Sequence, residues 1–139
     1  MILYVQDVPV SLAFYERAFG LPQRFFSEDN GKAHGELETG ATRLAYASLE
    51  MARLNLNREV VAADPEKAPL GVEIALVTPD VPALYARALK AGATAVSASS
   101  TKPWGQTVAY LRDKREGYRC HPAAAQVEDL PLDTQVRPK

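Results

Sequence analysis

The chain contains an internal repeat, and this repeat limits the folds that are open to it. An apolar run leads into Asp-Val-Pro at residues 7–9 and again at residues 80–82, and an amphipathic stretch that ends in glycine follows both copies. The two Asp residues lie 80 minus 7, or 73, positions apart, which leaves room for one small supersecondary unit per copy. A unit of this size cannot bury its apolar face alone, so the two copies are expected to pair around a cleft.

The first copy predicts a strand followed by a helix and three more strands. Residues 2–5 are apolar strand formers, Asp7 can cap a helix, and Pro9 fits its first turn. Gly20 can take the left-handed conformation that ends a helix. The apolar stripe of this helix consists of Val8, Leu12, Tyr15 and Phe19. Strands are predicted at 23–27, 33–39 and 42–47, and residues 49–57 are expected to form about one helical turn.

The second copy repeats this order. A strand at 72–77 leads to a helix that Asp80 caps and Gly92 ends, and its apolar stripe consists of Val81, Leu84, Tyr85 and Ala88. Strands are predicted at 94–98, 106–111 and 117–120. The total is eight strands and two helices, in modules spanning about 1–57 and 70–121, joined by a polar linker at 58–69.

Length and composition predict one ordinary globular domain. The chain has 139 residues, 47% of them hydrophobic and 24% charged. A net charge of -1 gives no electrostatic basis for binding nucleic acid or a membrane surface. The single cysteine, Cys120, excludes an intrachain disulfide, and the first residues lack the basic flank of a signal peptide, so a cytoplasmic location is expected.

Several motifs resemble the vicinal oxygen chelate superfamily, which includes glyoxalase I, the bleomycin-resistance proteins and extradiol dioxygenases. The motifs are Tyr-Val-Gln-Asp-Val at 4–8, Ser-Leu-Ala-Phe-Tyr-Glu at 11–16, Gly-Leu at 20–21 and Pro-Trp-Gly-Gln-Thr-Val-Ala-Tyr-Leu-Arg-Asp at 103–113. The resemblance covers residues 1 to about 121. It implies an α+β fold in which two βαβββ modules form curled mixed sheets around a cleft, and it implies a homodimer.

The resemblance also implies four positions for metal ligands, of which two carry a donor. The first strand of the second module supplies Glu73, and the last strand offers His121 after a turn that is one residue longer than usual. In the first module one position falls before Met1, and the other falls among Leu44, Ala45 and Tyr46, which offer no good donor. Two ligands hold a catalytic ion poorly, so no cofactor is expected; the alternative is Zn, Ni, Fe or Mn bound by Glu73 and His121.

Four further side chains are candidate ligand contacts. Trp104 offers an indole in a loop beside glycine, and Glu36 could hold a basic ligand if its strand face lines the cavity, together with Glu38. The competing interpretation is a solvated outer face for both carboxylates. Tyr46 and Tyr110 are the other two candidates, and core packing is the alternative for each.

The end of the chain departs from the family pattern. The expected last strand is charged and is followed by Pro122, which predicts that the strand breaks there and that residues 122–139 form a poorly ordered tail. A reading-frame change or recent divergence would explain this end. Translating the coding DNA in the other two frames tests the idea. If neither frame encodes an apolar strand with a glutamate, the idea is refuted.

Three functions remain open at this stage. A metal-free protein that sequesters a small hydrophobic or cationic molecule does not need the absent ligands. A glyoxalase-like lyase would need a metal, with Glu73 as the catalytic proton shuttle. An extradiol dioxygenase would need two histidines and a carboxylate on iron, and His34 and His121 are badly placed for it.

Overall fold

A computed structural model describes residues 1–113 and the backbone of residues 119–124. Eight strands and three helices occupy these residues. None of the helices in the described part of the chain is both long and apolar enough to cross a membrane.

The first module consists of β1 (Ile2–Val5), α1 (Val8–Phe19), β2 (Gln23–Asp29), β3 (Lys32–Leu37), β4 (Leu44–Ser48) and α2 (Leu49–Leu56). The Asp7 side chain accepts a hydrogen bond from the Val10 amide at 3.0 Å, and Gly20 ends α1 with a φ of 69°. This confirms both predicted ends of the helix. The predicted apolar stripe of α1 is buried along its whole length.

The second module consists of β5 (Glu73–Thr78), α3 (Val81–Lys90), β6 (Thr94–Thr101), β7 (Thr107–Arg112) and β8 (Arg119–Ala124). Asp80 caps α3 through the Ala83 amide at 2.9 Å, as Asp7 caps α1. The linker residues 58–69 form neither helix nor strand. The internal repeat in the sequence therefore corresponds to two copies of one local structure.

The strand order is the same in both modules. The first sheet runs β1-β4-β3-β2 and the second β5-β8-β7-β6, with one parallel pair in each and the other pairs antiparallel. Each sheet is curled and unclosed. The fold is thus α+β with two βαβββ modules, as the sequence predicts.

Two predictions about these elements are wrong. Residues 49–56 form a full helix, α2, because the Ser48 hydroxyl caps it by accepting from the Met51 amide at 3.2 Å. The last strand does not break at Pro122, since β8 continues to Ala124 and pairs with β5 across the proline. A proline removes one backbone donor, and the residues on both sides of it still pair. Residues 125–139 of the predicted tail lie outside the described residues.

The helix of the first module packs closely on its sheet at Gly35. A Cβ atom placed on Gly35 would lie 2.5 Å from Leu12 Cδ1 and 3.2 Å from Val8 Cγ1. A side chain at this point would require the buried Leu12 side chain, or α1 itself, to shift. Gly35 therefore sets the distance between α1 and β3.

The two modules share one hydrophobic core. Ile74, Ala88 and Leu111 of the second module belong to the same buried cluster as the α1 stripe. Arg87 of α3 also donates to the carbonyl oxygens of Arg17 at 2.7 Å and Glu16 at 3.1 Å. These carbonyls lie in the last turn of α1, where the Glu16 oxygen also accepts from the Gly20 amide at 2.9 Å and where the helix dipole favours a cation. The contact fixes the two helices against each other.

Replacing Gly35 with alanine should destabilise the fold by about 1–3 kcal/mol, because the added methyl overpacks the contact with Leu12. Urea unfolding monitored by circular dichroism measures the change. Gly71→Ala is the matched control, since a Cβ there meets no atom within 4 Å. Equal stability of the two variants would contradict this account of the packing.

Candidate functional site

One face of the first sheet is turned away from α1. Because Gly35 faces α1 and strand residues alternate, His34 and Glu36 lie on the opposite face. Ala47 and Ala45 of β4 lie opposite these two residues in the strand register. Phe25 lies opposite Glu36, and it is half exposed. We call this surface the first open face.

Glu36 lies between two basic side chains on the first open face. Its Oε1 is 3.3 Å from His34 Nε2, and its Oε2 is 3.6 Å from Arg43 Nη1. The Phe25 ring lies beside His34, with centroids 6.2 Å apart. A basic ligand would have to compete with His34 and Arg43 for Glu36. The Glu36 carboxylate is therefore less available to a ligand than its position in the sequence suggests.

The corresponding face of the second sheet carries Glu73 and Tyr110. Ile74 is buried in the core, so Glu73, the residue before it in β5, faces the other side of the sheet. Glu73 and Tyr110 are both partly buried. In β8, residue 121 lies opposite Ala75, and the side chains of β8 lie outside the described residues. The predicted pair of Glu73 and His121 thus falls on neighbouring strands, two residues apart in register.

Arg112 connects this part of the second sheet to the linker. Its Nη2 donates to the Asp64 carbonyl oxygen at 2.7 Å. The pKa of the Asp64 carboxyl lies below its ordinary value, chiefly because the Glu66 amide donates to it at 3.0 Å and also because Lys67 lies 3.3 Å away. These contacts hold the linker in a defined turn beside the sheet.

The described side chains do not by themselves complete a site for the divalent metal that the family resemblance implies, and residue 121, one of the two predicted ligands, is described by its backbone alone. Within residues 1–113 no three His, Cys, Asp or Glu side chains lie close enough to hold an ion together. On the first open face β4 presents Ala45 and Ala47, which carry no donor atoms. A catalytic ion needs at least three protein ligands in a fixed geometry.

A cavity of about 500 Å³ lies between the two modules. Its wall is largely aliphatic, and one carboxylate and two threonines supply the polar side chains. The residues that line it are Met1, Phe19, Leu21, Glu38, Thr39, Thr42, Leu44, Ile74, Ala75, Leu76, Val77 and Leu84. We call it the inter-module cavity.

Glu38 lies in the inter-module cavity, apart from Glu36. It follows the end of β3, where its amide donates to the Pro22 carbonyl oxygen at 2.8 Å. Its Oε1 accepts a bond from the Gly40 amide at 3.3 Å, and the Thr39 hydroxyl donates to the Thr42 carbonyl oxygen. Glu38 thus lines the inter-module cavity and Glu36 does not, and β3 ends between them at Leu37.

Tyr46 lies in the buried core. Its residue is 0% exposed, and its ring packs against Tyr15 with centroids 5.2 Å apart. It is opposite Gly35 in the register, so it faces α1. This burial agrees with the core alternative for Tyr46, and a ligand contact stays a prediction.

Trp104 lies at the tip of the β6–β7 hairpin and is 69% exposed. Its Nε1 donates to Gln106 Oε1 at 3.2 Å, and the Gly105 amide closes the turn on Lys102. It is not one of the residues that line the inter-module cavity. A ligand contact of Trp104 stays a prediction.

Sequence reasoning missed most of the inter-module cavity. The sequence predicts Phe19 and Leu84 in the apolar stripes of two helices and Leu44 in a strand. No local pattern shows that they meet. The one available signal was Glu38, a carboxylate beside a turn.

The comparisons with known proteins agree with this architecture. The family model described as "Glyoxalase/Bleomycin resistance protein/Dioxygenase superfamily" matches residues 1–121. The chain therefore belongs to this superfamily. No curated protein matches it significantly.

Solved structures with the same fold come from several bacteria. A glyoxalase-related enzyme from Fulvimarina pelagi is 19% identical with a TM-score of 0.75, over 91% of this chain and 86% of that one. A glyoxalase/bleomycin resistance protein/dioxygenase family enzyme from Burkholderia phytofirmans PsJN is 18% identical with a TM-score of 0.69, over 89% and 94%. TioX from Micromonospora sp. ML1 is 22% identical with a TM-score of 0.66, also over 89% and 94%. At these identities the likeness establishes the fold.

The Asp64 contacts predict a pH dependence of stability. A carboxyl whose pKa is lowered by folding stabilises the native state at pH values above its unfolded pKa of 3.8. This contribution to stability is lost as the pH falls through the folded pKa. Asp64→Asn should therefore lose less stability than the parent when the pH falls from about 5 to about 3. Urea unfolding at both pH values measures this, and an equal loss would contradict it.

Proposed function

We propose that the protein binds a small, largely apolar molecule in the inter-module cavity and does not convert it by metal-dependent chemistry. This is the role of a sequestering protein, similar to the bleomycin-resistance members of the superfamily. The observation that carries the proposal is the cavity itself. Its volume of about 500 Å³ falls in the range of small-molecule sites, and its wall combines apolar side chains with few polar ones.

The donor set of the first open face supports the same proposal. Leu44, Ala45 and Tyr46 occupy the part of β4 from which the family resemblance implies a metal ligand, and none of them offers a good donor. Binding by apolar contact does not need those ligands. The aliphatic wall of the cavity supplies the free energy of binding through the hydrophobic effect.

A glyoxalase-like metal-dependent lyase is the second candidate. The observation in its favour is Glu73, a partly buried carboxylate on β5 that lies near residue 121 of β8 in the register. A dioxygenase has less support, because it needs two histidines on one iron. His34 lies on the first sheet and is paired with Glu36.

Assembly as a homodimer and a cytoplasmic location belong to the same proposal. The superfamily resemblance is the basis for the dimer, and the single cysteine is the basis for the reducing compartment. Light scattering of the purified protein tests the assembly. A monomer across the accessible concentration range would remove the dimer and leave the binding role intact.

Filling the inter-module cavity should abolish binding of a neutral apolar probe. Ala75 lies on the exposed side of β5 and lines the cavity, so Ala75→Phe adds bulk without entering the core. We expect its affinity for Nile red or decan-1-ol to fall at least about tenfold, because the ring takes the volume of the probe. Fluorescence titration and calorimetry measure the affinities.

The matched control is Ala98→Phe, which places the same ring on an exposed position of β6 outside the cavity. It should bind as the parent does. If Ala75→Phe also binds as the parent does, the probe lies elsewhere and the proposed site is refuted.

Elemental analysis separates the two candidate functions. The protein, purified after growth with Zn, Ni, Fe and Mn supplied, is expected to carry less than about one-tenth equivalent of any of them, because the described donors do not form a site. Stoichiometric metal that is lost together with lyase activity in Glu73→Ala would favour the lyase instead.

A further inference from the structure

The polar side chains of the inter-module cavity lie together. Glu38, Thr39 and Thr42 belong to the β3–β4 connection, whereas the other lining residues have apolar side chains, and Met1 adds its terminal amino group. A molecule that fills the cavity therefore meets apolar walls over most of its surface and oxygen acceptors at one place. A ligand that fits should therefore be apolar over most of its surface and polar at one end.

Glu38 is the only side chain with a formal charge among the residues that line the cavity. Its carboxylate accepts hydrogen bonds and cannot donate them when it is ionised. Oε1 accepts the long 3.3 Å bond from the Gly40 amide, and no salt bridge in the described part of the chain involves Glu38. By contrast, Glu36 of the same strand region is already paired with Arg43 and His34.

Neighbouring groups hold Glu38 in place. Its amide is bonded to the Pro22 carbonyl oxygen, and Thr39 closes the connection through the Thr42 carbonyl oxygen. The amino group of Met1, which also borders the cavity, donates to the Arg43 carbonyl oxygen at 2.8 Å. The cavity thus has a positive group, the Met1 ammonium, which is engaged by the Arg43 carbonyl oxygen, and a negative group, the Glu38 carboxylate, which has no ion pair among the described residues.

On these grounds we propose that the inter-module cavity selects amphipathic cations: molecules with an apolar body and an ammonium or similar cationic group that pairs with Glu38. This inference rests on the proposed binding function and adds the substrate class. The apolar body contacts residues such as Phe19, Leu44 and Leu84, and the cation donates to the free acceptor sites of the Glu38 carboxylate. A carboxylate of similar shape would meet repulsion at the same place.

Three probes with one decyl chain and different head groups test the proposal. Decylamine, decan-1-ol and decanoic acid are titrated into the full-length protein at neutral pH below their micelle concentrations, and displacement of Nile red reports the affinity. Decylammonium should bind about tenfold more tightly than decanoate, since attraction and repulsion at an exposed carboxylate each contribute about threefold. The difference should shrink as salt is raised, because both effects are screened.

Glu38→Gln should remove this preference and leave the affinity for decan-1-ol within about twofold of the parent, because the neutral amide keeps the shape of the cavity. The matched control is Glu28→Gln, which removes the same charge from an exposed position of β2 that does not line the cavity. It should keep the preference for decylammonium.

Each result decides between the two proposals. If decan-1-ol binds but decylammonium and decanoate bind equally, the assignment of amphipathic cations is overturned and the binding function stands. If the preference survives in Glu38→Gln, the charge lies elsewhere and the role of Glu38 is refuted. If none of the three probes binds, the proposed function itself fails.

Discussion

The packing of α1 against α3 is the contact on which the rest of the structure depends. Each module alone is a curled sheet with one helix, and its apolar surface is buried only when the second module covers it. The Arg87 guanidinium adds hydrogen bonds to the exposed carbonyls at the end of α1. Each bond to an exposed charged group contributes about 1 kcal/mol, and together the bonds fix the angle between the modules. The inter-module cavity lies between β5 of the second module and the β3–β4 connection of the first.

The two possible binding regions differ in what they offer. The first open face presents Ala45 and Ala47 from β4 and a Glu36 that is already paired with His34 and Arg43. The inter-module cavity offers volume, apolar walls and an accessible carboxylate. The proposed binding function uses this cavity, whereas metal-dependent catalysis would use the sheet face that carries Glu73. Membership of the superfamily accommodates both, because the same fold serves enzymes and binding proteins.

Local sequence signals predicted the elements well where the physics is local. Asp7 and Asp80 cap their helices through amides three residues away, and Gly20 adopts the left-handed conformation at the end of α1. The failures arose where tertiary contacts compensate for a local cost. Pro122 lies inside β8 because pairing with β5 continues on both sides of it. Ser48 starts a full helix where only about one turn was expected.

The sequence by itself determined the repeated module, its capped helices and the alternation that separates buried from open strand faces, since each depends on residues within a few positions of one another. The tertiary structure decided which side chains share a site. Alternation alone placed Glu36 and Glu38 together, but β3 ends at Leu37, and Glu38 lies at the cavity. The cavity wall joins Phe19 and Leu44 to Leu76 of the other module, and only the docking of the two modules brings such distant residues into contact.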